Sequence, residues 1–371
     1  MKKLLVVLLA LTVLGIFAFA DDAMAPAPAP IGTFTSWNTG DAILYQTVNG
    51  GSATTAWGPD WDSLYGIDDE WTFAYHGKNY GFTADLEFGM DNFGNTTITA
   101  TSTLPIEGAS LSRFYTYYDF VPGMLEVDLG KPRIGRAPGA LAEGGSLGQF
   151  YMNSQYGAAV QLLPQSGFSA WVFTLIPADT LNAANGYGTA TNYGNQLSFE
   201  AEYNMPNVFD VNAMYSTIND EFTGGITVTA IKPATFVLAW DLNTLTATKA
   251  QVWLSGGGKF IPNLETDLDL DYYSLSTGSV SSFEVEAKAE YSFNAMYAVG
   301  ARIGYGDGKG AGLWGTNVGD IPNVGGVLVY PYVKANFDNG SYVTLGFSYE
   351  SGAGNTNYAE FQLPISYVWS F

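Results

Sequence analysis

The sequence predicts an all-β protein, a transmembrane antiparallel up-and-down β-barrel of about 18 strands, with 16 strands also compatible with the pattern. Three observations predict this fold class. The chain carries an N-terminal export signal, apolar and polar residues alternate along most of the remainder, and the connections between alternating segments are short and long in turn.

Residues 1–20 have the composition of a cleaved signal peptide. Lys2 and Lys3 provide a basic start, residues 4–17 are apolar, and residues 18–20 provide the small-x-small pattern of a cleavage site. An uncleaved membrane anchor is the alternative, which the short apolar run disfavours. No later stretch is long and apolar enough for a transmembrane helix, so we expect only a closed barrel to span a bilayer.

The next segment, residues 21–40, is predicted to be an Ala/Pro-rich spacer. Residues 25–30 alternate alanine with proline, which favours an extended polyproline conformation and provides no side chains for a core. Residues 41–371 then follow the two-residue period of strands without an internal domain boundary. The barrel domain is therefore predicted to span residues 41–371, with its first strand near Ala42.

The composition is strongly acidic and rich in aromatic residues. The chain has 35 acidic and 14 basic residues and a formal charge of −21, so we do not expect it to bind nucleic acid. Charged residues make up 13% and aromatic residues 15%, which predicts a partly lipid-facing surface. Without cysteine and with a single histidine, the sequence predicts neither disulfides nor a Cys or paired-His metal site, and it implies no cofactor.

The alternation is clearest from Leu264 to Tyr272, where apolar or hydroxyl-bearing residues occupy every second position and acids occupy the positions between them. The acidic positions are Glu265, Asp267, Asp269 and Asp271. We interpret them as an acidic lumen wall, because charge turned toward lipid is unfavourable. A calcium site is the alternative. It is disfavoured because residues on one extended strand stand in a row and do not wrap an ion.

Alternation alone does not distinguish a barrel from a soluble sandwich, but connection lengths do. The short set comprises residues 76–79, 121–123, 164–167, 204–207, 231–235, 292–296 and 338–340. The long set comprises residues 49–69, 90–109, 131–155, 177–194 and 306–326. Short turns at one end and long loops at the other are typical of barrels in the bacterial outer membrane.

The last strand ends on an aromatic residue in phase with five apolar ones. The residues on this face are Phe361, Leu363, Ile365, Tyr367, Trp369 and Phe371. Together with the signal and the turn pattern, this strand resembles those of Gram-negative-type outer-membrane β-barrel proteins, and the chain resembles the porins. The resemblance implies a bacterial outer-membrane location, with Tyr367, Trp369 and Phe371 read by the barrel assembly machinery. An ordinary edge strand that ends in phenylalanine is the alternative.

A basic cluster of Lys131, Arg133 and Arg136 opens the third long connection, and Arg113 lies on the preceding inward-alternating strand from Leu111 to Asp119. In porins the third long loop folds into the lumen, so the resemblance implies that these four residues set the pore constriction. Facing the acidic wall, they would create a transverse field that orients polar solutes and biases passage toward anions. The alternative is a solvated loop whose charges pair with acids on neighbouring strands.

The pattern predicts a transport protein and not an enzyme, since His76 lies in a predicted short turn without triad spacing. Aromatic residues near strand ends, such as Trp171 and Trp369, are predicted to face the membrane interfaces, which favours general diffusion over sugar-specific transport. We therefore predict a porin in outer-membrane lipid, with a water-filled channel for passive diffusion of small hydrophilic solutes and ions. The resemblance to porins also implies that the protein forms a homotrimer. A surface adhesin or structural barrel is the alternative function.

Overall fold

The structure is a computed structural model that describes most of the chain from Ile31 to Ser370. The described residues are 31–48, 54–57, 66–91, 109–131, 157–165, 167–175, 197–217, 221–243, 249–275, 280–307, 326–337, 340–352 and 359–370. Within these ranges the regular structure is entirely β, and they contain no helix long and apolar enough to cross a membrane. The predicted signal peptide and the first part of the predicted spacer lie outside the described residues.

Twenty strand segments are numbered in chain order. They are β1 (Ile31–Val48), β2 (Thr54–Trp57), β3 (Gly66–His76), β4 (Tyr80–Asp91), β5 (Ala109–Val121), β6 (Leu125–Lys131), β7 (Gly157–Gln165), β8 (Phe168–Leu175), β9 (Leu197–Met205), β10 (Phe209–Ser216), β11 (Glu221–Val228), β12 (Ala234–Asn243), β13 (Lys249–Ile261), β14 (Leu264–Leu275), β15 (Val280–Ser292), β16 (Tyr297–Gly306), β17 (Gly326–Asn336), β18 (Tyr342–Gly346), β19 (Ser348–Gly352) and β20 (Ala359–Ser370).

These segments build an 18-strand antiparallel barrel, which confirms the predicted fold class. Twenty segments make 18 strands because two pairs of segments each count as one strand. β2 and β3 both pair with the same side of β1, and β18 and β19 are two halves of one strand. The halves are separated at Phe347, which faces the position of Pro331 and donates its backbone N–H to the Pro331 carbonyl at 3.0 Å. Proline has no N–H to return, so the ladder is weakened at this point.

Pairing between the first and last strands closes the ring. β1 pairs with β3 on one side, from Ile31 opposite His76, and with β20 on the other, from Trp37 opposite Ser370. Every consecutive strand between them pairs antiparallel with the next. Closure matters because an open edge would leave backbone N–H and C=O groups without partners in lipid.

The two ends of the barrel differ in the length of their connections. At one end, eight hairpins close through five residues or fewer, including the turn between β13 and β14 at Pro262 and Asn263, which the sequence analysis missed. Asn263 adopts a φ of 65°, which asparagine tolerates better than most residues. At the other end lie the long connections, but those after β10, β12 and β14 are short, spanning only residues 217–220, 244–248 and 276–279.

The first strand begins earlier than the sequence predicted. β1 starts at Ile31, whereas the prediction placed the first strand near Ala42 and assigned residues 31–40 to the spacer. The physical reason is that residues 31–40 pair in register with β3 along its whole length, from His76 to Ile67. Backbone pairing with a neighbouring strand therefore fixes this segment, although its own side chains show only weak alternation.

The barrel is polar inside and apolar outside, as β14 illustrates. Asp269 and Asp271 are buried on the face that lies within the ring, whereas Leu268, Leu270 and Tyr272 are exposed on the outer face. The side chains buried elsewhere in the described wall are also largely polar or charged. This reverses the arrangement of a soluble protein, where apolar side chains are buried.

Candidate functional site: the lumen wall

We define the lumen wall as the side chains that face into the ring. Strand pairing fixes their phase, because residues directly opposite each other on neighbouring strands point to the same face. Its described carboxylates include Glu70, Asp85, Asp119, Glu126, Asp128, Glu200, Glu202, Asp210, Glu221, Asp241, Asp267, Asp269, Asp271, Glu284, Glu286 and Glu290. Its four described basic side chains at paired strand positions are Arg113, Lys288, Arg302 and Lys334; Lys259, near the short-turn end of β13, forms an ion pair with Glu265 of the same face. The wall of the described residues is therefore strongly anionic.

Arg113 is held against a buried carboxylate on the neighbouring strand. It lies on β5 directly opposite Asp85 on β4, with Nε 2.6 Å from Oδ2. Its Nη2 also donates to Asp85 Oδ1 at 3.0 Å. The Asp85 side chain is fully buried, so the ion pair and its one hydrogen bond hold the guanidinium against the wall.

A second group of ion pairs lies across β15, β16 and β17. Arg302 donates through Nε and Nη2 to the two carboxylate oxygens of Glu286, at 2.5 and 2.8 Å. Glu290 accepts from the Tyr332 hydroxyl at 2.8 Å and from Lys334 Nζ at 3.4 Å. Lys334 also lies 4.6 Å from the centre of the Tyr342 ring. These contacts tie Arg302 to the neighbouring strand β15 and connect Lys334 on β17 to β15 across β16.

Lys288 differs from the other three basic side chains of the described wall. It lies between Asp267 on β14 and Arg302 on β16, directly opposite each of them. It is half-buried, and Asp267 is the acid across from it. It therefore has an acid on one side and a second basic group on the other.

Side-chain amides hold carboxylates at two places on the wall. Gln161 on β7 donates through Nε2 to Asp128 on β6, and its distance to Glu126 Oε1 is 3.4 Å. Gln251 on β13 donates to Asp271 Oδ2 at 3.1 Å. Such contacts hold buried acids in place without adding positive charge.

The predicted constriction residues fall partly outside the described residues. Arg113 faces the lumen and pairs with Asp85, as given above, and Lys131 is the last residue of β6. Arg133 and Arg136 lie outside the described residues. Of the four predicted residues, Arg113 therefore lies on the lumen wall and Lys131 lies at the end of a strand.

The predicted acidic wall lies on the inner face of β14. Asp267, Asp269 and Asp271 point into the ring, and Asp269 and Asp271 are buried. Glu265, near the short-turn end, is more exposed and forms a 3.3 Å ion pair with Lys259. Along the ring, β14 is nine strands from β5 in either direction among the 18 strands, so this wall stands across the barrel from Arg113.

The C-terminal residues lie on the outer face, next to β1. Tyr367 and Trp369 pair with Gly40 and Asn38 of β1, and Trp369 is exposed. Phe371 lies outside the described residues. The aromatic face of β20 thus borders the seam that closes the ring.

The sequence did not predict the cluster of basic side chains on β15, β16 and β17. Lys288, Arg302 and Lys334 were not among the residues predicted to line the channel. One sequence feature pointed to Arg302: it alternates in the same phase with Gly300 and Gly304, which leave space around its side chain. What the sequence lacks is the strand register, which decides that these basic residues meet Glu286 and Glu290.

Several aromatic side chains also face the lumen, and Trp171 is one of them, which corrects its predicted place at the membrane interface. It lies opposite Gln161 and Glu200 on the inner face and is buried. The rings of Tyr330 and Tyr332 stack with centroids 5.4 Å apart. The buried aromatic rings of the described wall are Trp171, Phe173, Trp253, Tyr330 and Tyr332. They therefore offer little surface to a passing solute.

Glycines on neighbouring strands make room for these rings. A Cβ at Gly300 would collide with the Tyr332 ring, and one at Gly346 would collide with the Tyr330 ring. The glycines allow the rings of Tyr332 and Tyr330 to lie along the wall instead of projecting into the lumen.

His76, the single histidine, is the last residue of β3, next to the predicted turn. The hydroxyl of Tyr117 lies 2.7 Å from His76 Nδ1, at hydrogen-bond distance.

A closed antiparallel barrel with an apolar outer surface and an anionic inner wall defines a transmembrane up-and-down β-barrel. Its fold is that of the outer-membrane porins. The structure is similar to the anion-selective porin from Comamonas acidovorans, with a TM-score of 0.50 and 12% identity over 92% of this chain and 100% of that one.

Two further solved structures are similar at lower scores. A mutant of the Rh. blastica porin has a TM-score of 0.46 and 15% identity, covering 92% of this chain and 100% of that one. A loop-deletion mutant of OmpT, an outer membrane protein of Vibrio cholerae, has a TM-score of 0.43 and 11% identity over the same shares. No protein-family model matches the sequence, and no curated protein matches it significantly.

Proposed function

We propose that the protein is a porin of the bacterial outer membrane, a water-filled channel for passive diffusion of small hydrophilic solutes and ions. The observation that carries the proposal is the reversed polarity of the closed barrel, with charged side chains such as Asp269 inside and apolar ones such as Leu270 outside. Lipid would solvate the outer face, and water would solvate the inner one.

The size of the barrel supports a channel. Barrels of 16 to 18 strands leave an aqueous passage, whereas 8-stranded barrels are filled by their own side chains. This barrel has 18 strands. General diffusion is proposed over a sugar-stacking path because five inward rings are buried and cannot stack on a sugar, although Tyr115 and Tyr117 are only half-buried.

The remaining parts of the proposal concern targeting and assembly. Residues 1–20 would direct export, and Tyr367, Trp369 and Phe371 would be recognised by the barrel assembly machinery. The apolar outer face would contact outer-membrane lipid, and three copies would associate as in trimeric porins. Lys131, Arg133 and Arg136 would stand at the entrance to the lumen or within it.

Single-channel recording tests the channel directly. The purified mature protein is added to a planar bilayer under a potassium chloride gradient, and current is recorded before and after denaturation of the same sample in urea. Discrete, long-lived current steps that only the folded protein produces support the porin. Silence from protein shown to be folded contradicts it and favours the adhesin or structural barrel.

Liposome swelling tests passage of uncharged solutes. Liposomes with the protein are diluted into isotonic solutions of sugars of increasing size, and the rate of swelling is compared with that of protein-free liposomes. For a general diffusion channel we expect the rate to fall smoothly with solute size. Swelling with one sugar alone would contradict general diffusion and indicate a substrate-specific channel.

A further inference from the structure

The inward basic side chains of the described wall are mostly matched, one for one, with carboxylates on the next strand or, for Lys334 and Glu290, two strands away. Arg113 pairs with Asp85, Arg302 with Glu286, and Lys334 with Glu290. The three carboxylates are buried or nearly so, with exposed side-chain fractions of 0, 1 and 16%. Each basic group therefore lies beside an opposite charge that the protein itself supplies.

Such pairing weakens the effect of a basic group on ions in the channel. A basic group held against one carboxylate presents a short dipole to the lumen, and the field of a dipole falls off faster than that of a single charge. Screening by salt shortens its range further, to about 8 Å at physiological ionic strength. The paired arginines therefore have little power to attract anions.

The carboxylates of the lumen wall outnumber its four described basic side chains by a wide margin. Asp267, Asp269 and Asp271 on β14 face Lys288, Glu286 and Glu284 on β15, so two of these three cross-strand pairs bring acids together. Once the three basic groups are cancelled, negative charge dominates the wall. Negatively charged walls are characteristic of cation-conducting pores.

We propose that the channel prefers cations, and that Asp85, Glu286 and Glu290 preserve this preference by cancelling the charges of Arg113, Arg302 and Lys334. The inference rests on the proposed function and adds its ion selectivity. It assigns the opposite sign to the one expected from a basic constriction. In that alternative, Arg113 acts as an independent charge that draws anions to the narrow point.

A double-mutant cycle on Arg113 and Asp85 tests the proposal, with the reversal potential in a potassium chloride gradient as the measurement. The wild-type potential should show potassium more permeant than chloride. Asp85→Asn should lower the potassium-to-chloride permeability ratio, and Arg113→Gln should raise it, each by about twofold for one charge near the screening length. The double variant should return to the wild-type ratio, because the pair carries no net charge.

Other outcomes would overturn the proposal. A wild-type preference for chloride contradicts it outright. A double variant that follows Arg113→Gln, with Asp85→Asn unchanged from the wild type, shows that Arg113 acts alone. If an Asp85 variant fails to fold, the cycle of Arg302→Gln and Glu286→Gln repeats the test on β15 and β16. The same pattern of permeability ratios is expected there, and the same outcomes would contradict the proposal.

A control separates charge cancellation from a general loss of negative charge. Glu265→Gln removes one acid from the exposed pair with Lys259 near the short-turn end, and its effect on the permeability ratio should be smaller than that of Asp85→Asn. An equal effect contradicts the specific role of Asp85. Failure of the proposed function would look different, since no channel would then open and no reversal potential would exist.

Discussion

Asp269 and Leu270 are consecutive residues of β14, yet Asp269 is 4% exposed inside the ring and Leu270 is 42% exposed on its outer face. One peptide unit thus separates a side chain that needs water from one suited to lipid. The same alternation repeats along the described strands, so the inner face is suited to water and the outer face to lipid. A substitution that reverses the polarity at either position tests the arrangement.

Leu270→Arg should destabilise the barrel strongly in a bilayer. Leu270 lies near the middle of its strand, where an outward arginine costs about 2 to 4 kcal/mol of unfolding free energy. Leu264→Arg, at the short-turn end of the same strand, should cost about 1 kcal/mol or less. Reversible urea unfolding in phospholipid vesicles measures both. Equal costs at the two positions would contradict a membrane-embedded outer face.

Gly300→Ala should destabilise the barrel by displacing an inward ring. A Cβ at this position collides with the Tyr332 ring, so the ring must move and its hydrogen bond to Glu290 is lost. We expect a cost of about 1 to 3 kcal/mol. In Tyr332→Ala protein, Gly300→Ala should cost much less. Gly32→Ala is the control, since nothing lies within 4 Å of a Cβ there.

Arg302→Met should cost more stability than Lys259→Met. Arg302 is 13% exposed and its removal leaves the Glu286 carboxylate, 1% exposed, without this partner. Breaking a buried pair in this way costs about 3 kcal/mol or more, whereas an exposed pair such as Lys259 with Glu265 contributes about 1 kcal/mol at most. Urea titration of the three proteins gives the comparison. Similar midpoints would show that water already solvates Glu286.

Replacing Arg133 and Arg136 by glutamate should shift the reversal potential toward cations if the third long connection enters the lumen. The shift follows from exchanging two positive charges for two negative ones near the narrow point. Lys259→Glu, on an exposed side chain of β13, is a charge-reversal control. An unchanged potential in the double variant would remove these residues from the constriction.

Phe371→Ser should lower the amount of folded barrel in the outer membrane. The expected reason is weaker recognition by the assembly machinery, so refolding of the purified variant in detergent should remain close to the wild type. Ser370→Ala is the neighbouring control. Immunoblots of outer-membrane fractions, run with and without heating, distinguish folded from unfolded protein. Normal assembly of Phe371→Ser would contradict the proposed recognition.

The sequence allowed the fold to be predicted because alternation is a local property. Each strand records on its own which of its faces is apolar, and the segment from Leu264 to Tyr272 shows this without reference to any other strand. The turn at Pro262 and Asn263 was not among the predicted short connections. The start of β1 was missed because pairing with β3, and not its own pattern, defines it.

The charge pairs could not be predicted in the same way. Arg113 and Asp85 are separated by 28 residues, and Lys334 and Glu290 by 44. Whether they meet depends on the register between strands, and a slip of one residue would send a side chain to the other face. The sequence shows how many charges the lumen holds, whereas only the register shows which of them cancel.

The seam between β1 and β20 has a consequence for how the molecule is made. Trp37 lies opposite Ser370, so the contacts that complete the wall join almost the most distant parts of the chain. Loop-closure entropy makes such contacts late and slow. Until they form, a partly inserted barrel presents two open edges. Chaperone protection should therefore be needed until the final strand has docked, and a fragment lacking that strand should aggregate or be degraded.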